Sequence, residues 1–344
     1  MTDYLKPLLH AEKPGIGVFT PSMPAHIILE GLYTSGLNWL RSEGFKVKPG
    51  RLTASGVTEG YRTAGGRARA EEFMELIHDP DVGILMANIG GSNSASMLPW
   101  LDYDAIRQSR KLICGYSDVT SLHMAILKKA RLRTCYGPAL TPSFGNQPVP
   151  DPDTVMSFRQ MLSAEKHGIL RPPARWSDHF RDYHDGSWKG KPREYKPNPG
   201  WHGLKPGKAT GPFLIANLNT LQTLAGTPWF PDTEGRILIL EEMQSDQAGL
   251  ERRMTQLLQM GILEGISGLV FSKVEQANGV SQEAMDTILL DVCEPFSFPV
   301  VSGFDCGHTT PMISLCQQTS GTVEAAGSVV ITLDEPMVEA AAGR

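Results

Sequence analysis

Short runs almost free of polar residues constrain this chain most: GIGVFT at 15–20, VGILMA at 82–87 and LIC at 112–114. A strand covered on both faces loses the usual in–out alternation and becomes continuously apolar. Between the runs lie segments of helical period. Residues 26–43 form one, and 66–78 form another, with Ala70, Phe73, Met74 and Ile77 recurring at three and four. Phe45-Lys46-Val47 adds a further short strand. Strands alternating with helices predict an α/β fold, a parallel sheet with helices on both faces. In such sheets the chemistry gathers outside the carboxyl ends of the strands.

Two of those ends carry suggestive residues. After 112–114 the chain runs Gly115-Tyr116-Ser117-Asp118 and enters a helical pattern, with Val119, Leu122, Ala125, Ile126 and Lys129 on one face. A strand turning sharply into a helix with serine at the turn is the geometry of a nucleophile elbow, although Val119 replaces the second glycine of G-x-S-x-G. The alternative is a plain turn with Ser117 or Asp118 as N-cap. After 82–87 comes Asn88-Ile89-Gly90-Gly91-Ser92-Asn93-Ser94. Gly90-Gly91 lets backbone N–H groups face a ligand, as in an oxyanion hole beside Ser117. An ordinary polar turn and a phosphate-binding loop lacking the usual glycine spacing are the other readings.

With 344 residues the chain has length for two domains, and 41% hydrophobic content supplies their cores. The net charge of −5 argues against general nucleic-acid binding. No apolar run approaches the roughly 20 residues of a membrane span, and MTDYLKPLLHAEKPGIGV lacks a signal peptide's apolar region. A cytoplasmic protein is expected. The five cysteines, Cys114, Cys135, Cys293, Cys306 and Cys316, include no C-x-x-C, so neither a disulfide framework nor a metal site is expected. From about 141 to 207 the composition shifts to Pro, Trp and charged residues, with one helix near 153–163 and otherwise a long connection. Its Trp176, Trp188 and Trp201 either stack on a planar ligand group or pack the segment down.

A serine nucleophile needs a base, most often histidine. Of nine histidines, His308 stands out: it follows the apolar Pro299-Val300-Val301 and lies between Gly307 and Thr309. His10, His26, His78, His123, His167, His179, His184 and His202 lie elsewhere in less suggestive settings. Glu241 and Glu242 end the apolar run 236–240, where an acid must be exposed or paired. A Ser–Glu–His set and plain strand-end solvation are both open from the residues alone. Helices at 249–260 and 281–293, a strand at 268–271 and a hairpin turning near Ala326-Gly327 complete the pattern.

Several stretches in the same order resemble the serine peptidases of the LD-carboxypeptidase family. They are GGSNSASMLPWLDYD, GYSDVTSL, YGPAL, ANLNTLQTLAGTPWFPD, ILILEEM and GFDCGHTTPMISL, and the similarity spans about residues 13–333. The resemblance implies a flavodoxin-like parallel-sheet domain over 1–150 carrying the elbow. A linker and substrate loop over 151–207 follows, then a smaller β-rich α/β domain over 208–344. It also implies a homodimer, no cofactor and no metal. Ser117 would be nucleophile, His308 base and Glu241 the orienting acid, with N–H groups of Gly91 and Asp118 as oxyanion donors. The glycine-rich loop resembles the branch that confers microcin C immunity by cutting the amide of an aminoacyl-nucleotide. On that resemblance Gly90, Ser92, Asn93, Trp176 and Asn217 would contact the small-molecule substrate. Trp176-Ser177-Asp178 matches the loop whose tryptophan stacks on the base, with His179 where an acid is usual. Ile215-Ala216 stands where that branch carries two glycines. The other branch removes D-alanine from murein tetrapeptides, and a non-catalytic nucleotide binder is a third possibility.

Overall fold

The computed structural model describes residues 3–146, 148–178, 191–275 and 280–341. His179, His184 and Trp188 lie outside the described residues. The first sheet has the order Val47–Pro49, Ile16–Phe19, Ile84–Ala87, Leu112–Gly115, Cys135–Tyr136, and Leu315–Cys316 at the far edge. The five N-terminal strands pair in parallel and the last returns antiparallel. Counted along the chain, the parallel strands run 2-1-3-4-5, the flavodoxin-like order. Its switch point lies between Ile16–Phe19 and Ile84–Ala87. The loop 88–94 leaves the sheet there, and the elbow leaves the neighbouring strand.

Every residue of Ile16–Phe19, Ile84–Ala87 and Leu112–Gly115 is buried. Successive side chains enter opposite layers. Ile84 and Met86 pack with Leu37 and Leu40 of the helix Glu30–Ser42. Leu85 and Ala87 pack with Phe73 and Ile77 of the helix Gly66–His78. Three expectations shift in detail. The helix predicted over 26–43 breaks at Leu29 into Ala25–Ile28 and Glu30–Ser42, and the second strand lies two residues later than predicted. The helix Thr120–Ala130 buries nearly its whole circumference rather than one face. It lies between the two sheets, sharing one apolar cluster with Leu85 and Ile113 on one side and Leu214 and Leu238 on the other.

The second sheet has the order His202–Lys205, Val300–Phe304, Gly268–Ser272, Ile237–Glu241, Lys208–Asn217, Ser320–Ala326, Ser328–Leu333, Gly168–Leu170. Its middle is parallel and its flanks antiparallel. The expected hairpin forms at Gly327. Part of the predicted connection is instead structural, because Gly168–Leu170 and His202–Lys205 supply the two edges of this sheet. Cys135 and Cys316, facing each other on paired strands, form a disulfide that the cysteine spacing did not suggest. Among the described residues no helix is long and apolar enough to cross a membrane.

Beyond the carboxyl ends of Gly268–Ser272 and Val300–Phe304 a buried ion pair joins Lys273 Nζ to Asp305 Oδ1 at 2.8 Å. Lys273 also donates to the Gly303 carbonyl. Asp305 accepts from Trp201 Nε1 at 2.9 Å and Asn198 Nδ2 at 3.1 Å. Trp201 therefore packs the connecting segment down, against Phe304. This network fixes the start of the loop that carries His308. Removing one partner of a buried pair strands the other charge, so Lys273→Met should lose about 3–5 kcal/mol of stability in urea unfolding. Lys273→Met/Asp305→Leu should recover part of that loss; a double variant no more stable than the single one would contradict this.

Candidate active site

The elbow is built from the strand upward. A Cβ on Gly115 would stand 2.9 Å from the Ala87 Cβ and 3.0 Å from Val119 Cγ2, so only glycine lets the chain turn so close to its neighbour. Tyr116 is extended, and Ser117 then takes φ +63°. That left-handed backbone costs a residue with a Cβ about 1–2 kcal/mol, and it persists because its surroundings over-determine it. The Ser117 N–H donates to the Tyr136 hydroxyl at 3.0 Å. The buried Asp118 carboxylate accepts the N–H groups of Asn93 and Ser94, both at 2.9 Å, while Ser94 Oγ donates to the Asp118 carbonyl at 2.6 Å. His123 donates from Nε2 to the Gly115 carbonyl at 2.9 Å and accepts from Thr134 at Nδ1, 2.8 Å away. Burial pushes its pKa down to about 4 against the pull of that carbonyl, so it is a neutral tether.

Ser117, His308 and Glu241 form a hydrogen-bonded row. His308 Nε2 lies 3.1 Å from Ser117 Oγ, and Nδ1 lies 2.7 Å from Glu241 Oε2. A carboxylate only accepts, so Nδ1 carries the proton and Nε2 is the acceptor for the serine hydroxyl. Burial opposes the imidazolium, but the charges of Glu241, Glu275 and Glu242 outweigh it and hold the His308 pKa above its ordinary value.

Glu241 has no exposed surface. Its Oε1 accepts the Tyr136 hydroxyl at 2.6 Å and Asn217 Nδ2 at 3.0 Å. Asn217 and Glu241 face each other in the strand register, which places that amide beside the acid. Adjacent positions on a strand point to opposite faces, and Glu242 turns away to pair with Arg253 at 2.9 Å. Gly307 makes the His308 approach possible, because a Cβ there would come within 2.4 Å of Glu241 Oε2.

Gly90 faces Ser117. A Cβ on it would lie 3.0 Å from Ser117 Cβ, 3.2 Å from Oγ and 3.3 Å from the Asp118 nitrogen. The missing side chain leaves space beside the hydroxyl and the Asp118 N–H. Gly91, at φ +142°, passes close to Ser22, whose hydroxyl accepts the Ser92 N–H at 2.9 Å. Gly90, Gly91, Ser117 and His308 line a cavity of about 270 Å³. The other expected ligand contacts are placed differently. Ser92 and Asn93 are not part of that lining. Asn217 is buried, holding Glu241 with its amide and capping Thr220 with its oxygen. Trp176 lies outside the cavity lining, with Lys196 Nζ 4.3 Å above its ring. Ser177 pairs through both backbone bonds with Thr310, two residues beyond His308.

Tyr136 and Glu275 went unrecognised in the sequence. A tyrosine in a short strand passes for core, and its place beside the elbow strand is visible only in the structure. Glu275 follows the strand Gly268–Ser272 and lines the cavity. Burial pushes its carboxyl up to about 7 against the opposing pull of His308 and Arg193.

Two family profiles match this chain: the LD-carboxypeptidase N-terminal domain over residues 16–137 and the LD-carboxypeptidase C-terminal domain over 210–323. The microcin C7 self-immunity protein MccF of Escherichia coli is 37% identical over 304 residues, covering 87% of each chain. A solved structure of MccF with glutamyl sulfamoyl guanosine superposes with TM-score 0.87 at 33% identity, covering 96% of this chain and 99% of that one. MccF with aspartyl sulfamoyl adenosine gives TM-score 0.87 at 34% identity, over 97% and 99%.

The electrostatics predict a titration. Nitrogen-detected NMR of the histidine rings should show His308 titrating above 6.5 and His123 staying neutral until about 4. Because only neutral His308 accepts a proton, hydrolysis should fall as pH drops through the His308 midpoint. Glu241→Gln should move that midpoint down; an unmoved midpoint, or one below 6.5 in the parent protein, would contradict the arrangement.

Proposed function

The chain belongs to the LD-carboxypeptidase family of serine hydrolases, and from that premise we propose that it is an amidase acting on an aminoacyl- or peptidyl-nucleotide conjugate. The observation that carries the reading is the row Glu241–His308–Ser117, with the serine held at a left-handed elbow. Ser117 Oγ attacks the amide carbonyl while His308 Nε2 takes its proton. The carbonyl oxygen, now negative, lies where Gly90 leaves room, within reach of the Asp118 and Gly91 N–H groups. The C–N bond breaks as His308 delivers the proton to the leaving nitrogen. Water, deprotonated by the same imidazole, then releases the acyl group and restores the serine. Glu241 keeps Nδ1 protonated and favours the imidazolium that forms at each step.

The similarity to MccF supports a nucleotide conjugate as the substrate class. Trp176 is proposed to stack on the base, a contact worth about 1–3 kcal/mol. The Ser177–Thr310 bridge supports this by tying the tryptophan's strand to the His308 loop.

Incubation with an aminoacyl sulfamoyl adenosine, followed by mass spectrometry, tests the proposal. Free amino acid and sulfamoyl adenosine should appear, and Ser117→Ala should lower kcat by about 10³-fold or more. Release of D-alanine from a murein tetrapeptide instead would assign the carboxypeptidase activity of the other branch. Tight binding without turnover in the parent protein would make it a binder.

A further inference from the structure

The cavity beside Ser117 has walls that discriminate by charge. Met23, Ile89, Met243 and Met312 give it apolar surface. Two carboxylates also line it, and they differ in availability. Asp151 is committed, with Oδ1 capping the Thr154 N–H at 2.9 Å and Oδ2 accepting the Tyr195 hydroxyl at 2.6 Å. Glu275 is only 7% exposed and has Arg193 Nη1 at 4.0 Å, longer than a direct hydrogen bond. Among the described residues, Arg193 is the one arginine or lysine in the lining, and it already faces Glu275. Among the described residues the carboxylates in the lining, Asp151 and Glu275, outnumber its one arginine. The upward shift of His308, held against burial by Glu241, Glu275 and Glu242, agrees with that excess, while Glu275 is raised by its burial.

We propose that this cavity takes an apolar aminoacyl group and that Glu275 turns acidic acyl groups away. The proposal rests on the amidase reading above and narrows its substrate class. It departs from the glutamyl and aspartyl ligands held by MccF. The physical cause is twofold. Above about pH 7, where Glu275 is ionised, a carboxylate entering here meets a like charge in a poorly solvated space, and like charges brought together across a binding surface are strongly selected against. An apolar side chain meets thioether and aliphatic walls, and methionine side chains adapt to its shape.

Four ligands separate the possibilities: leucyl, methionyl, aspartyl and glutamyl sulfamoyl adenosine. Assayed above about pH 7, where Glu275 is charged, the parent protein should hydrolyse the first two with kcat/KM about tenfold or more above the acidic pair, and the gap should shrink as the pH falls below that. Glu275→Gln should narrow that gap by about threefold or more through gains on the acidic ligands, whereas Glu275→Asp, which keeps the charge, should largely preserve it. Thermal unfolding of each variant verifies that it is folded. Acidic ligands cleaved as well as apolar ones, or a gap unchanged in Glu275→Gln, would overturn the proposal. Calorimetric binding to Ser117→Ala, with and without Glu275→Gln, reads the same selectivity without chemistry. No hydrolysis by the parent protein with apolar ligands still bound tighter would sink the amidase reading alone, and no binding of any of the four would sink both.

Discussion

A carboxylate fully removed from water holds this site together. An isolated buried charge is prohibitively costly, so Glu241 is tolerable only because its oxygens are all spoken for. Tyr136 reaches it from the last parallel strand of the first sheet, Asn217 from the neighbouring strand of the second, and His308 from the loop after Val300–Phe304. The acid therefore ties together three pieces of chain far apart in sequence. The Tyr136 hydroxyl does double duty, since it also accepts the N–H of Ser117. The two ends of the Ser–His–Glu row are thus joined by a second route that avoids the imidazole.

The strain at Ser117 makes sense in that setting. A left-handed serine needs outside support, and the Asp118 carboxylate, the Ser94 hydroxyl and the neutral His123 all fasten residues on either side of it. The same bonds pull the loop 88–94 against the elbow. Glycine at 90 and 307 then serves close approach: one leaves room beside the hydroxyl, the other admits the histidine to the acid. A hydroxyl presented this way is reached from the cavity, while the bonds that present it stay beneath.

How much of this was legible in the sequence varied by physical cause. The elbow was readable because a buried strand, a turn residue and a helix follow one another within ten residues. His308 was readable from its glycine neighbour and the apolar run before it. Glu241 and Glu242 were indistinguishable as residue types; only the family resemblance favoured Glu241, and strand register shows it facing His308 while Glu242 faces Arg253. The strand Lys208–Asn217 escaped notice because its first half alternates along an antiparallel partner and its second half is continuously buried in a parallel one, with Pro212 between. The helix Thr120–Ala130 showed a single apolar face because contact with a second sheet is a tertiary fact that periodicity does not encode. Tyr136 and Glu275 act through distant partners, so no local pattern marks them.

The proposed mechanism requires Ser117 to form a covalent bond to the acyl group. Rapid-quench mass spectrometry of the protein mixed with leucyl sulfamoyl adenosine, followed by peptide mapping, tests this most directly. A transient leucyl adduct is expected on the peptide containing Ser117, formed far more slowly in His308→Ala. Turnover with no adduct, or an adduct on another residue, would contradict it.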